Sequence, residues 1–174
     1  GRPLLSFEPF WFSQLTGGRF DASHPGISQP TNRAYLGGSQ ASRWTKLAEA
    51  YALDADAALG AASWGAFQLP GRYYDDAGYG SVFAFVQDMA QSETRQLAAF
   101  EAYARRKELI DELQRRDWTE FAKAFEGEAG AAPYAAALAS AYATLSPPAD
   151  PYLDALFAQS RDHLTRADYE AVAA

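Results

Sequence analysis

From Trp44 onward the apolar residues of this 174-residue chain keep helical time, and that rhythm constrains the fold more than any single motif does. Trp44, Leu47, Ala48 and Tyr51 fall at i, i+3, i+4 and i+7, as do Val82, Phe85, Val86 and Met89, and Leu97, Phe100 and Ala104 continue the pattern. A stripe at this spacing lies on one helix face and has to be covered by another element. Asp117 and Glu120 form a capping box ahead of Trp118, Phe121, Ala122 and Phe125, and Gly127 is a natural stop. Tyr134, Leu138, Ala141, Tyr142 and Leu145 give one more helix. No segment alternates with period two for long enough to demand a sheet, although Leu4 to Phe12 and Gly65 to Leu69 each suit a short strand. The expected fold is mainly α with a small irregular or short-strand lobe, and Trp118, Phe121 and Phe125 belong in its central core.

With 48% apolar residues the chain can bury a sizeable core. Residues 1–145 read as one body. Within it, Thr16 to Gln40 is rich in Gly, Ser, Pro and Asn and predicts a long loop or irregular lobe. Residues 146–151, Ser-Pro-Pro-Ala-Asp-Pro, predict a linker, and 152–174 a C-terminal helical segment carrying Leu153, Leu156 and Phe157.

Charge and residue usage exclude several functions. A formal charge of -7 argues against a nucleic-acid partner, whose phosphates require clustered Lys and Arg. The absence of cysteine removes disulfides, thiolate metal sites and cysteine nucleophiles. His24 and His163 are not spaced with carboxylates as metal ligands are, so no metal and no cofactor are expected. No apolar run is long enough for a membrane span, and no basic-then-apolar signal peptide opens the sequence.

Most of the 22 carboxylates belong on polar helix faces. Glu8 differs, as the only charge in Leu4-Leu5-Ser6-Phe7-Glu8-Pro9-Phe10-Trp11-Phe12. Aromatic neighbours folded over it would keep its carboxyl protonated, as a general acid for glycoside cleavage requires. An outward-facing strand residue, or the ion-pair partner of a core arginine, is the plain alternative. A second place is Ala61-Ala62-Ser63-Trp64-Gly65-Ala66-Phe67-Gln68-Leu69. Here an indole could stack on a sugar ring while Ser63 and Gln68 bond its polar groups. A core Trp64 with a backbone-satisfied Gln68 fits these residues equally well.

At these residues the sequence resembles the phage-endolysin N-acetylmuramidase family. Ala57-Ala58-Leu59, Ser63-Trp64-Gly65 and Phe67-Gln68 look like its signature, Gly1-Arg2-Pro3 through Phe7-Glu8 and Phe12 is similar to its Gly-Arg-Pro and Phe-Glu stretch, and Tyr35-Leu36-Gly37-Gly38 resembles its Gly-Gly loop. Tyr74, Gly78-Tyr79, Phe85-Val86, Ser92-Glu93, Gln96-Leu97, Phe100, Asp117-Trp118 and Phe121-Ala122 follow in order. The resemblance covers about residues 1–145. It implies a lysozyme-like helical domain that cleaves the MurNAc–GlcNAc β-1,4 bond of bacterial peptidoglycan in the cell envelope, the periplasm, without a cofactor. Within this reading the candidate site has Glu8 as second carboxylate or substitute acid, with Ser63, Trp64 and Gln68 as cleft residues and Tyr35 and Tyr74 as further aromatic candidates for substrate binding. A separate cell-wall-binding domain, not in this sequence, is compatible with the same reading.

Three departures stand against the pattern. Pro9-Phe10 replaces the polar pair that the family carries after its Phe-Glu. Phe125-Glu126-Gly127 stands where the family has Tyr-Asn-Gly, so Glu126 is either a new substrate-binding carboxylate or the polar last residue before a Gly cap. The family's general acid belongs to a Val-Glu-Ser segment ahead of the Gly-Arg-Pro at which this sequence opens. The segment Leu164 to Ala174 resembles the start of that opening region, which predicts that it docks beside the cleft within reach of Gly1. Hydrolysis and lytic transglycosylation both remain open. So does a rival reading, a catalytically inactive peptidoglycan-binding or interaction module of the same fold.

Overall fold

The computed structural model describes residues 2–31 and 38–145. Tyr35, the linker at 146–151 and the C-terminal segment at 152–174 lie outside the described residues. Among the described residues there are eight α-helices and one three-stranded antiparallel sheet, as a mainly α chain with a small strand lobe should have. The chain divides into two units, residues 1–110 and 111–174. No helix among the described residues is long and apolar enough to cross a membrane.

In the first unit, β1 (Leu5–Phe7) pairs with β2 (Ala62–Trp64), which pairs with β3 (Leu69–Pro70). The strand expected over Leu4 to Phe12 ends early, because Pro9 starts α1 (Pro9–Leu15). A proline at the first helical position has its φ already set and gives up no hydrogen bond that the helix would use. The other candidate is also corrected: only Leu69 of Gly65 to Leu69 is strand, and residues 65–68 form the turn between β2 and β3. Period-two alternation decides the sheet's two faces. Leu5, Phe7, Trp64 and Leu69 are buried, whereas Ser6 stands opposite Ser63 on the other face.

The helices α2 (Gln40–Leu53) and α3 (Ala55–Gly60) pack on the sheet, and α4 (Val82–Met89) packs on α3 and on a 3-10 turn at Gly71–Tyr73. Ser39, Asp54 and Ser81 cap the three helices, each accepting a backbone N–H three residues on. The stripe read through Leu97 is interrupted. Helix α4 stops at Met89, Ser92 caps α5 (Glu93–Arg106), and α5 buries Gln96, Ala99, Tyr103 and Ala104 while Leu97 is 51% exposed. Residues 16–31 form successive turns, as the loop reading expects, held on α1 by stacking of Phe20 on Phe12 and by burial of Ile27.

The second unit contains α6 (Ile110–Arg115, its first residue in the first unit), α7 (Trp118–Glu126) and α8 (Glu128–Leu145). The capping box is half made: Asp117 accepts the Glu120 N–H, while the Glu120 carboxylate turns to Lys123 at 2.6 Å. Ala122, Ala131 and Ala135 form the small core of this unit, with Trp118 and Tyr134 partly buried against it. Of the expected central-core stripe of Trp118, Phe121 and Phe125, Trp118 packs against this small core. Phe121 is buried, and Phe125 stacks between Phe121 and Tyr134. Trp118 remains half-buried, its ring on Tyr142.

Candidate active site

Glu8 stands where β1 gives way to α1. Its backbone N–H donates to the Ala61 carbonyl at 3.1 Å, and its carbonyl accepts the Phe12 N–H at 3.2 Å. Strand pairing on one side and helix on the other thus hold the main chain at this residue. Its side chain makes no helix-capping bond. The half-buried carboxylate instead meets Ser63, whose hydroxyl donates to Oε1 at 3.4 Å.

Beside this pair, the Ser6 hydroxyl donates to Gln68 Oε1 at 2.5 Å, and Gln68 Nε2 donates to the Gly65 carbonyl at 2.7 Å. Gln68 holds φ at +48°, an uncommon conformation for a side-chain-bearing residue, and its own amide clamps the turn that imposes it. The sheet therefore brings Glu8, Ser63, Ser6 and Gln68 to one polar edge. A carboxylate with a hydroxyl donor and a fixed amide alongside can exchange a proton with a sugar oxygen and bond its acetamido group.

Trp64 does not join them. It is 1% exposed, its indole N–H donates to the Leu59 carbonyl at 3.1 Å, and its ring meets Trp44 edge-on at 5.9 Å. It is a core residue, which corrects the expectation of a sugar-stacking platform; alternation along β2 turns it away from Ser63. Tyr74 follows the 3-10 turn and lines a cleft of about 580 Å3 together with Arg72, Leu15, Asp56 and Phe83. Glu8, Ser63 and Gln68 are not part of that lining. Glu126 is the exposed last residue of α7 in the second unit, before Gly127 at φ +81°, the arrangement of a polar residue ahead of a helix stop.

Two residues with a bearing on the site were not among the expected site residues. Gln96 is 8% exposed and uses both ends of its amide: Oε1 accepts the Ala66 N–H at 2.8 Å and Nε2 donates to the Met89 carbonyl at 2.8 Å. Arg72 is the single charge in Leu69-Pro70-Gly71-Arg72-Tyr73-Tyr74, the same kind of signal that singled out Glu8.

The family model described as N-acetylmuramidase matches residues 1–146. No curated protein matches the sequence. Among solved structures, the fold is similar to that of a Burkholderia AP3 phage endolysin, at 33% identity and a TM-score of 0.72 over 83% of this chain. The match spans 56% of that endolysin's length. A mainly helical, lysozyme-like unit, a short sheet that carries Phe7-Glu8 and Ser63, and a family pattern running through residues 1–146 agree with one another, and the chain belongs to the N-acetylmuramidase family.

Proposed function

We propose that this domain cleaves the glycan strands of bacterial peptidoglycan at the MurNAc–GlcNAc β-1,4 bond, with Glu8 as a catalytic carboxylate and Ser63 and Gln68 as substrate-binding residues. The observation that carries this reading is the placement of Glu8. It is the one carboxylate of an aromatic segment, its backbone is held by β2 and α1, and its side chain faces the Ser63 hydroxyl. Trp64 takes no part in sugar stacking, and Glu126 acts as a helix end. The substrate puts the site of action in the cell envelope.

Glycoside cleavage places a carboxyl beside the scissile oxygen and stabilises an oxocarbenium-like centre. Glu8 is positioned to supply such a carboxyl from a rigid strand-to-helix junction, and Ser63 orients it. Lysis of outer-membrane-permeabilised cells, followed by turbidity, tests the proposal with the whole chain. Clearing that disappears in Glu8→Gln is the expected result. Retained clearing in Glu8→Gln removes Glu8 from the chemistry. Product masses from purified sacculi separate hydrolysis from transglycosylation, since an anhydro end is lighter by one water.

A second reading, a wall-binding module without activity, is favoured by the Pro9-Phe10 that follows Glu8 and by the net charge of -7, which repels an anionic wall. Sacculus binding without clearing by the wild-type chain would select it.

A further inference from the structure

Resting on the reading of the chain as a domain that acts on peptidoglycan, we propose that the cleft around Arg72 is a subsite for the peptide stem, with a stem carboxylate held on the Arg72 guanidinium. The guanidinium lies over the Trp11 ring at 4.0 Å and the Tyr73 ring at 4.7 Å. Stacking of this kind fixes its plane and leaves its N–H edge available. Nε and Nη1 are buried, and among the described residues neither has a hydrogen-bond partner. Buried donors on a cation are costly to leave unmatched, so the arrangement lacks an acceptor.

The nearby carboxylates do not fill that role. Asp54 uses one oxygen on the Ala57 N–H and the other on Arg19 at 2.5 Å, and Asp76 faces Lys107 at 2.6 Å. A carboxylate matches this planar group, with one oxygen on Nη2 and the other on Nη1 or Nε beside it. The cleft that Arg72 lines has about 580 Å3 of room, with Leu15, Tyr74 and Phe83 as apolar or aromatic wall and exposed Asp56 contributing a negative charge. A ligand for it combines a carboxylate, a short apolar stretch and an ammonium group.

Within peptidoglycan that chemistry belongs to one part. The glycan offers hydroxyl and acetamido groups, and the lactyl carboxyl of MurNAc is consumed in the amide that carries the peptide. The stem presents free carboxylates and, where its third residue is a diamino acid, an ammonium. A subsite for the stem also meets the objection raised by the acidic surface, because it offers one guanidinium to the anionic portion of the polymer.

The probe is the free tetrapeptide L-Ala-D-Glu-meso-diaminopimelate-D-Ala, titrated into the whole chain by calorimetry, beside the same peptide acetylated on its diaminopimelate amine. Saturable binding by the wild type is expected, with a roughly ten-fold loss in Arg72→Lys, which keeps the charge and removes the fork. Asp56→Asn lies at an exposed position and keeps the test open should Arg72→Lys not fold. It should weaken the free peptide and leave the acetylated one unchanged. No binding by the wild type, or wild-type affinity for the free peptide in both variants, overturns the subsite. The lysis assay fails or succeeds independently: tetrapeptide binding without clearing keeps the subsite and removes the enzymatic reading. Clearing without tetrapeptide binding does the reverse.

Discussion

Gln96 occupies the space that a β-carbon on Gly65 would need: an ideal Cβ there comes within 2.6 Å of the Gln96 Cδ and Oε1. Gly65 also sits at φ +73°, and the Gln96 side-chain oxygen Oε1 accepts the N–H of the next residue, Ala66. The β2–β3 turn is thereby pinned from α5, and the same turn presents Gln68 to Ser6. Gly65→Ala should cost roughly 1–3 kcal/mol of stability through backbone strain, before any displacement of Gln96 is counted. Thermal or urea denaturation reads it, and an unchanged stability would show that the turn relaxes freely. Gln96→Leu removes both amide bonds and leaves the Ala66 N–H and Met89 carbonyl without their partner, for a cost of about 1–3 kcal/mol for each group so stranded.

If Glu8 does the chemistry, Glu8→Gln should reduce cell-wall clearing by about a hundred- to ten-thousand-fold, the range of a lost acid–base group. The melting temperature should barely move, because the amide is nearly isosteric and the backbone bonds to Ala61 and Phe12 do not depend on the side chain. Ser63→Ala should act more mildly on clearing, since its contact with Glu8 is a long 3.4 Å hydrogen bond. Equal losses in Glu8→Gln and Ser63→Ala would point to disturbed folding of the sheet edge.

In the second unit, Phe121→Ala should be the most damaging change on the α7 stripe, at about 3–5 kcal/mol, because its ring is 2% exposed. Trp118 is the larger residue but is only half-buried against Ala122, Ala131 and Ala135, so Trp118→Ala should fall below that range. Chemical denaturation monitored by far-ultraviolet dichroism ranks the two. The reverse order would place Trp118 at the centre of the packing.

Alkaline stability should depend on two tyrosines. Burial pushes Tyr79 up to about 12, aided by its hydrogen bond to Asp88 at 3.1 Å and by that carboxylate's charge. Burial likewise pushes Tyr103 to about 12, with Tyr73 and Asp76 nearby adding to it. A phenol whose folded value exceeds its ordinary value of 10.0 favours the folded state fully below pH 10. That contribution fades as pH rises from about 10 to about 12, because the unfolded chain releases the proton first. Melting temperatures should fall across this window, and Tyr79→Phe should flatten the slope. A slope identical in Tyr79→Phe would remove Tyr79 from the account.

The helices were legible because a 3.6-residue stripe survives without knowledge of its partner; α2, α4 and α7 lie where Trp44, Val82 and Trp118 place them. The strand-to-helix switch at Pro9 was less so, since an unbroken aromatic run suits either element and only the proline tips it. Trp64 could be read as platform or as core, because the answer rests on Trp44 and the Leu59 carbonyl, which the chain brings over it from elsewhere. Gln96 was hidden for a related reason: a glutamine beside an exposed leucine on a helix has no mark of burial until both its bonds are seen. Arg72 bears the same mark as Glu8, a lone charge beside aromatics, but on a cation, which glycoside cleavage does not require.

Besides the Phe20 stacking and the burial of Ile27, one carboxylate fastens the turns of residues 16–31. Asp21 accepts hydrogen bonds from Ser13 on α1 at 3.2 Å and from Ser28 at 2.5 Å, and both serines are 1% exposed. The latch is three side chains, with no strand pairing to keep in register. Insertions at the exposed Ala22 and Ser23 therefore leave this latch and the buried Ile27 in place. For protein engineering this makes the lobe a graft site: a recognition peptide inserted there would be displayed from the first unit while Glu8, anchored by β2 and α1, keeps its place.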